Sequence, residues 1–183
     1  IFPWPVPGIE DLTWFAPPTR AVLFLDKFRL PRSLKKIISA GRFSTAIDQD
    51  TAAVIRGCAD SPNRLHGNCT WITEEMVEGY ATLAAAGYCH SVESYRGSAL
   101  VGGLYGVAIG AMFAGESMFY TEADASKVAL VQLVQHLTER GGKWIDCQQM
   151  TPLFEQFGAE EVSRERFTEM LQEAIAAPIR LFD

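Results

Sequence analysis

Residues 89–120 read CHSVESY-RGS-ALVGGLYGVAI-GA-MFAGESMFY, and this stretch decides the fold. Its apolar and aromatic residues fall into three segments, Cys89–Tyr95, Ala99–Ile109 and Met112–Tyr120. Turn residues separate the segments at Arg96–Ser98 and near Gly110. Because turns this short join antiparallel neighbours, we predict a three-stranded antiparallel meander.

A membrane span is the alternative interpretation of part of this stretch. The run from Gly97 to Gly115 carries no charge, and Gly102, Gly106 and Gly110 lie at GxxxG spacing. However, glycines throughout the run weaken any helix in water. We therefore favour two strands of a hairpin and expect no membrane association.

Helices and strands surround the predicted meander. Before it we predict a strand and three helices, at Ala21–Leu25, Arg32–Ala40, Thr45–Cys58 and Thr73–Ala86. After it we predict a helix, a strand and two helices, at Asp124–Glu139, Lys143–Gln148, Pro152–Phe157 and Ser163–Ala176, with Asp124 as a helix cap. This order is that of the α+β acyltransferase fold shared with N-acetyltransferases, a mixed, mostly antiparallel sheet with flanking helices.

In that fold, acetyl-CoA lies on a glycine-containing loop at the start of the helix after the meander. The corresponding segment here, Tyr120–Lys127, has no glycine and contains Glu122 and Asp124, which makes it a poor pyrophosphate site. The fold order indicates acyl transfer by analogy only, and the missing loop argues against CoA as the donor. A CoA-dependent N-acetyltransferase stays open only if this loop can hold a pyrophosphate.

Charge and cysteine content limit the classes of protein further. The stretch from Lys27 to Arg42 carries +6 in a chain of net charge −6, so the remainder carries −12. This excludes a uniformly basic nucleic-acid-binding protein but allows one local basic patch. The four cysteines form no CxxC pair and have no histidine at ligand spacing, which predicts no metal site and reduced thiols in a cytoplasmic protein.

Two groups of polar residues are candidates for chemistry. Asp146 and Gln148 lie two apart on a predicted strand and so share a face, where the carboxylate can orient the carboxamide toward an amine. Spacing alone favours the alternative, a structural pair at a strand end. Glu116 lies among methionine and phenylalanine residues and needs a cation or several donors, either an internal arginine or a cationic substrate.

Aromatic residues supply a third candidate group, made up of Trp4, Trp14, Trp71 and Tyr80. Aromatic rings in loops can stack on nucleic-acid bases, and clustered Lys and Arg residues can bind phosphates. For the aromatic residues the alternative is packing in the core. For the Lys and Arg residues the alternative is a charged face exposed to solvent.

The chain closely resembles the leucyl/phenylalanyl-tRNA–protein transferases, bacterial enzymes of the N-end rule. The resemblance runs from Ile1 to about Phe167 and is carried by the segments Ile1–Trp4, Arg20–Leu23, Gly57–Ala59, Thr70–Thr73, Glu78–Tyr80, Gly87–Glu93, Val101–Val107, Gly115–Phe119, Ala125–Lys127 and Ile145–Gln148. It implies transfer of Leu or Phe, and Met less well, from aminoacyl-tRNA to the α-amine of a protein that begins with Arg or Lys. It also implies that no metal, nucleotide or CoA is required.

The resemblance further implies roles for individual residues. Asp146, Gln148 and Glu116 would be catalytic. The amino-acid pocket would be lined by Leu104, Phe113, Met118, Leu130, Leu133 and Ile145. The terminal adenosine would bind Trp4, Trp71 and Tyr80, and tRNA phosphates would bind Arg32, Lys35 and Lys36.

The same resemblance sets our expectations for the domain organisation. We expect residues 1–183 to form one aminoacyltransferase catalytic domain, a cytoplasmic monomer, in which residues 1–20 are an irregular Pro- and Trp-rich arm. The family's small N-terminal domain is expected to be absent. Because Thr151–Phe157 departs from the family pattern, the alternative hypothesis is a relative that binds aminoacyl-tRNA ends but has a different acceptor or no transferase activity.

Overall fold

A computed structural model describes residues 1–4, 13–61 and 72–182 of the chain. Its strands are β1 (Phe2–Trp4), β2 (Thr13–Phe15), β3 (Thr19–Phe24), β4 (Ser44–Ile47), β5 (Cys89–Arg96), β6 (Ala99–Ile109), β7 (Met112–Tyr120), β8 (Trp144–Gln148) and β9 (Glu160–Ser163). Its helices are α1 (Arg32–Ser39), α2 (Thr51–Asp60), α3 (Glu74–Ala85), α4 (Ala125–Glu139), α5 (Pro152–Phe157) and α6 (Arg164–Ala176).

One sheet of seven strands runs through the molecule, in the order β4-β5-β6-β7-β8-β3-β9. The strands β5, β6 and β7 form the predicted meander, which is confirmed with nearly the predicted boundaries. Among the pairs in this sheet, β7 and β8 run parallel and the others antiparallel. The α+β acyltransferase-type fold expected from the sequence is therefore confirmed.

Helices cover both faces of the sheet because the strands alternate between two buried sides. On one face, α4 packs its wide apolar side over β5 and β6, and its core includes Leu104, Leu130 and Ile145. On the other face, α2 and α3 pack over β5–β7 around Val54 and Tyr105. Helix α6 forms a third cluster with β3, β7 and β8.

Two local expectations were wrong, and one strand was missed. The segment 45–58, predicted as one helix, is divided between β4 and α2, because β4 pairs along β5 and Asp50 caps α2 by accepting from the Ala53 N–H. Asp124 precedes α4 in a left-handed conformation without capping it, and its carboxylate accepts from Lys127 instead. The strand β9 was missed, since its charged sequence lacks an apolar pattern.

The uncharged glycine-rich run belongs to β6 and β7. Gly102 faces the start of α4, where an added Cβ would lie 2.7 Å from the Ala125 side chain. This close approach, and not a membrane helix, explains a glycine at that position. Among the described residues, no helix is both long and apolar enough to cross a bilayer.

Candidate active site

The candidate site lies where two parallel strands separate. Strands β7 and β8 pair only from Met112–Trp144 to Ala114–Asp146. Beyond that point β7 continues along β6, while β8 continues along β3. The space between the diverging strand ends is a cavity of about 550 Å³.

The wall of this cavity is largely apolar. All six residues predicted for the amino-acid pocket line it, namely Leu104, Phe113, Met118, Leu130, Leu133 and Ile145. Sequence reasoning missed further lining residues from α5, Leu153 and Phe154. Their only sequence signal was an apolar pair in the segment 151–157 that departs from the family pattern.

Glu116 provides a carboxylate at the polar end of the cavity. Its Oε2 accepts hydrogen bonds from the Tyr80 hydroxyl at 2.8 Å and from Gln148 Nε2 at 3.2 Å. In the part of the chain that the structure describes, no cation forms an ion pair with it. Burial raises the pKa of Glu116, an effect that the hydrogen bonds from Tyr80 and Gln148 oppose. The neutral donors therefore leave this carboxylate suited to a cationic ligand.

Asp146 has a different partner from the one that the sequence suggested. Its carboxylate is buried and accepts two hydrogen bonds from Arg20, one of them from Nε at 3.2 Å. Its Oδ1 also accepts from the backbone N–H of Gln148 at 2.8 Å. The expected contact between the Asp146 carboxylate and the Gln148 carboxamide is thus replaced by a backbone contact, and the carboxamide binds Glu116 instead.

Irregular backbone directs Glu116 and Gln148 into the site. Tyr105 pairs with Ser117 and Gly106 with Gly115, so Glu116 is an extra residue in a β-bulge. On β8, a second irregularity precedes Gln148, which has a φ of 64°. A positive φ is rare for a residue with a side chain and often marks a functional site.

The residues predicted to bind adenosine lie in three different situations. Trp4 lines the cavity, whereas Trp71 lies outside the described residues. Tyr80 is buried, with its ring edge-on to Tyr105 at 5.0 Å. This burial leaves little ring surface for stacking on a base. The Tyr80 hydroxyl serves as a donor to Glu116.

The residues predicted to bind phosphate lie on the exposed side of α1. Arg32, Lys35 and Lys36 are exposed, while Leu34 anchors the helix in the core. Within the described ranges, these three cations form no ion pair, whereas Lys27 and Arg42 of the same basic stretch contact Glu160 and Glu122. The unpaired cations are free to contact an anionic partner.

The start of α4 is a poor site for a pyrophosphate, as the sequence predicted. Asp124 precedes the helix and Glu122 lies two residues earlier, so two carboxylates stand where phosphate groups would bind. Glu122 already binds Arg96 and Arg42, and Lys127 binds Asp124 at 2.7 Å.

Comparison with known proteins identifies the family. The family model described as leucyl/phenylalanyl-tRNA protein transferase matches residues 22–172. The chain belongs to this family. A leucyl/phenylalanyl-tRNA–protein transferase of Solidesulfovibrio magneticus is 45% identical over 95% of this chain and 70% of its own length. One from Syntrophotalea carbinolica is 45% identical over 99% of this chain and 78% of its own length.

A solved structure supports the fold of this leucyl/phenylalanyl-tRNA–protein transferase family member independently. L-PGS from Bacillus licheniformis superposes with a TM-score of 0.50 at 13% identity, over 74% of this chain and 47% of that one. The expected family, and with it an enzyme of the aminoacyltransferase class, is confirmed.

Proposed function

We propose that this enzyme moves Leu or Phe, and Met less well, from aminoacyl-tRNA to the N-terminal α-amine of proteins that begin with Arg or Lys, as a step of N-end rule degradation. The observation that carries the proposal is an apolar cavity with Glu116 and Gln148 at one end, in a chain of this family. The cavity holds the donor side chain, and the polar end faces the reacting amine.

The apolar wall accounts for a donor pocket that accepts several amino acids. Hydrophobic pockets discriminate between side chains that differ by one methylene by only about 1–3 kcal/mol. Leu, Phe and Met can therefore share the wall formed by Leu104, Leu133 and their neighbours. Trp4, which also lines the cavity, supports the terminal adenosine.

The chemistry needs alignment more than activation, because an aminoacyl ester is already reactive. The amine nitrogen attacks the ester carbonyl, a C–N bond forms, the bond to the ribose oxygen breaks, and the amine proton passes to that oxygen. Glu116 attracts and positions the amine, and Gln148 orients it by hydrogen bonding. Asp146 acts through the Gln148 backbone. An α-amine has a pKa of about 7.7–8.0, so enough free base is present near neutral pH.

The tRNA body binds through α1 in this proposal. Arg32, Lys35 and Lys36 offer exposed positive charge on a chain that is otherwise acidic. Phosphate contacts position a nucleic acid without reading its sequence. The enzyme uses no metal, CoA or other cofactor and acts as a cytoplasmic monomer.

A transfer assay tests the proposal. Leu-tRNA or Phe-tRNA is supplied with a set of peptides that differ only in their first residue, and acetyl-CoA serves as the control donor. We expect transfer to peptides that begin with Arg or Lys and none from acetyl-CoA. Binding of aminoacyl-tRNA without transfer to any peptide would support the alternative of a non-catalytic relative. Transfer from acetyl-CoA would contradict the donor assignment.

A further inference from the structure

Arg20 is a buried cation next to the site. The sequence analysis did not single out this residue for a function. It lies on β3, and its guanidinium carbon is 4.7 Å from the centre of the Phe2 ring and 4.5 Å from that of Phe167. A guanidinium held by two rings in this way has few alternative conformations. Arg20 is thus fixed before any substrate arrives.

The fixed guanidinium binds Asp146 through two of its nitrogens, Nε to Oδ1 and Nη2 to Oδ2. The side chains of both residues are at most 6% exposed, so each charge depends on the other for compensation. The two charges oppose each other, since Asp146 raises the pKa of Glu116 and Arg20 lowers it. What Asp146 still offers is Oδ1, the acceptor for the Gln148 N–H.

This acceptor holds the unusual backbone at Gln148. A φ of 64° is unfavourable for glutamine and persists only when its surroundings enforce it. The hydrogen bond from the Gln148 N–H to Asp146 fixes that turn, and the turn directs the carboxamide to Glu116. A continuous set of contacts thus leads from Arg20 to the reacting end of the cavity.

We propose that Arg20 is a positioning residue for the transfer reaction: by neutralising and orienting Asp146, it holds the left-handed turn that directs Gln148 to Glu116. Asp146 serves as a fixed acceptor, and its charge is not used on the substrate. The inference rests on the proposed function. It also gives a function to β1 and α6, because Phe2 of β1 and Phe167 of α6 hold the Arg20 guanidinium.

A double-substitution cycle tests this proposal. Arg20→Met leaves the Asp146 charge uncompensated, and Asp146→Asn leaves that of Arg20 uncompensated, while Asn keeps an oxygen for the Gln148 N–H. We expect each single variant to lose about 100-fold in kcat, the effect of a small misplacement of reacting groups, with the KM for aminoacyl-tRNA little changed. The double variant removes both charges and should recover most of the lost kcat and thermal stability, since a buried ion pair can be replaced by neutral groups.

The matched control is Arg56→Met, which removes the exposed ion pair between Arg56 of α2 and Glu74 of α3 and should leave kcat unchanged. A double variant no more active than Asp146→Asn would overturn the proposal, because it would show that removing the uncompensated charge does not restore the position of Gln148. If Arg20→Met does not fold, Arg20→Lys keeps the charge but offers a single donor group. Intermediate kcat in that variant supports the positioning role, and full wild-type kcat contradicts it.

A measurement independent of transfer separates this proposal from the proposed function. The backbone amide proton of Gln148, followed by NMR, reports its hydrogen bond to Asp146. We expect its resonance to shift in Arg20→Met and to return toward the wild-type position in the double variant. An unshifted resonance in Arg20→Met overturns the inference. A wild-type enzyme that transfers no amino acid overturns the proposed function instead, while the amide resonance still tests the role of Arg20.

Discussion

The carboxylate of Glu116 is held in surroundings that favour its neutral form. Burial raises its pKa, and its direct partners, Tyr80 and Gln148, are neutral donors. A group of this kind reduces the stability of the free protein when it is ionised, and it becomes favourable once a cation binds. An ammonium group at the N-terminus of an acceptor protein is such a cation.

We predict that Glu116→Gln makes the protein more stable and less active. Because the pKa of Glu116 is raised in the folded state, the wild type loses stability as the pH rises above the ordinary carboxyl pKa. The variant should therefore unfold at a higher temperature than the wild type at pH 8, and the difference should shrink toward pH 4. Thermal unfolding at several pH values measures this, alongside transfer to an Arg peptide.

The control for this prediction is Glu78→Gln, an exposed position on α3. Glu78→Gln should unfold at the same temperature as the wild type at each pH and should have the same transfer rate. Equal stability of Glu116→Gln and wild type at pH 8 would contradict the view that no cation among the described residues forms an ion pair with Glu116.

Leu104 is the position at which the donor preference is most directly tested. It is buried, lines the cavity and pairs across the sheet with Met118. Leu104→Phe should fill part of the pocket and favour the smaller donor, raising the ratio of Leu to Phe transfer about tenfold, within the range for a change in side-chain size. Competition between Leu-tRNA and Phe-tRNA measures the ratio.

An exposed leucine on α3, Leu83, provides the matched control. Leu83→Phe adds the same volume outside the cavity and should leave the ratio unchanged. A ratio that does not change in Leu104→Phe would show that Leu104 lies outside the donor site.

At the level of the elements, the turn between β6 and β7 joins the meander to α6. Gly110 has a φ of 58°, and a Cβ added there would lie 2.3 Å from the Ala174 carbonyl oxygen. The next N–H, that of Ala111, donates to the same oxygen at 2.9 Å. The turn therefore needs glycine both for its backbone angle and for its close contact with α6.

We predict that Gly110→Ala destabilises the protein more than Gly97→Ala does. Gly97, in the other turn of the meander, has a φ of 59° but open space around an added Cβ. In both variants the free energy of unfolding should fall by about 1–2 kcal/mol, because alanine is unfavourable in the left-handed conformation. Gly110→Ala should lose about 1–3 kcal/mol more from the clash with α6. Urea unfolding compares the two, and equal losses would contradict the close contact.

On the scale of the whole molecule, the uneven distribution of charge determines how the enzyme can approach tRNA. The net charge is −6, yet α1 and its flanks are basic. Each phosphate contact releases counterions, so affinity for tRNA should fall with salt in proportion to the number of contacts. The exposed cations of α1 are the group whose removal should change this dependence most.

We predict that replacing Lys35 and Lys36 with Ala weakens binding of whole aminoacyl-tRNA and lowers its log–log salt slope by about 2, one for each contact. The reaction with an aminoacyl-adenosine that lacks the tRNA body should be nearly unchanged. Arg166→Ala, on the exposed side of α6, is the control. An unchanged salt slope would mean that these lysines face water and that tRNA binds elsewhere.

Local patterns predicted the meander, α4 and α5 well because each depends on near neighbours in the chain. Turn residues at Arg96–Ser98 separate β5 from β6, and a broad apolar face at helical spacing marks α4. The helix predicted across β4 was wrong because only pairing with β5, some fifty residues away, makes that segment a strand. The charged strand β9 was missed for the same reason, since β3 supplies its partner.

By itself, the sequence determined the family, the order of the central elements and the six apolar residues that share one cavity. The order of the elements follows from residue type and spacing, and the six pocket residues follow from the resemblance to the family. The sequence carries both without any tertiary contact. The tertiary structure alone decided which polar groups meet: Arg20 with Asp146, and Gln148 with Glu116. Arg20 and Asp146 are separated by 126 positions, and two backbone irregularities redirect Glu116 and Gln148. Spacing along a strand cannot predict the Arg20–Asp146 pair or the two irregularities. The pair and the irregularities depend on which strands become neighbours in the sheet and on where two of them separate.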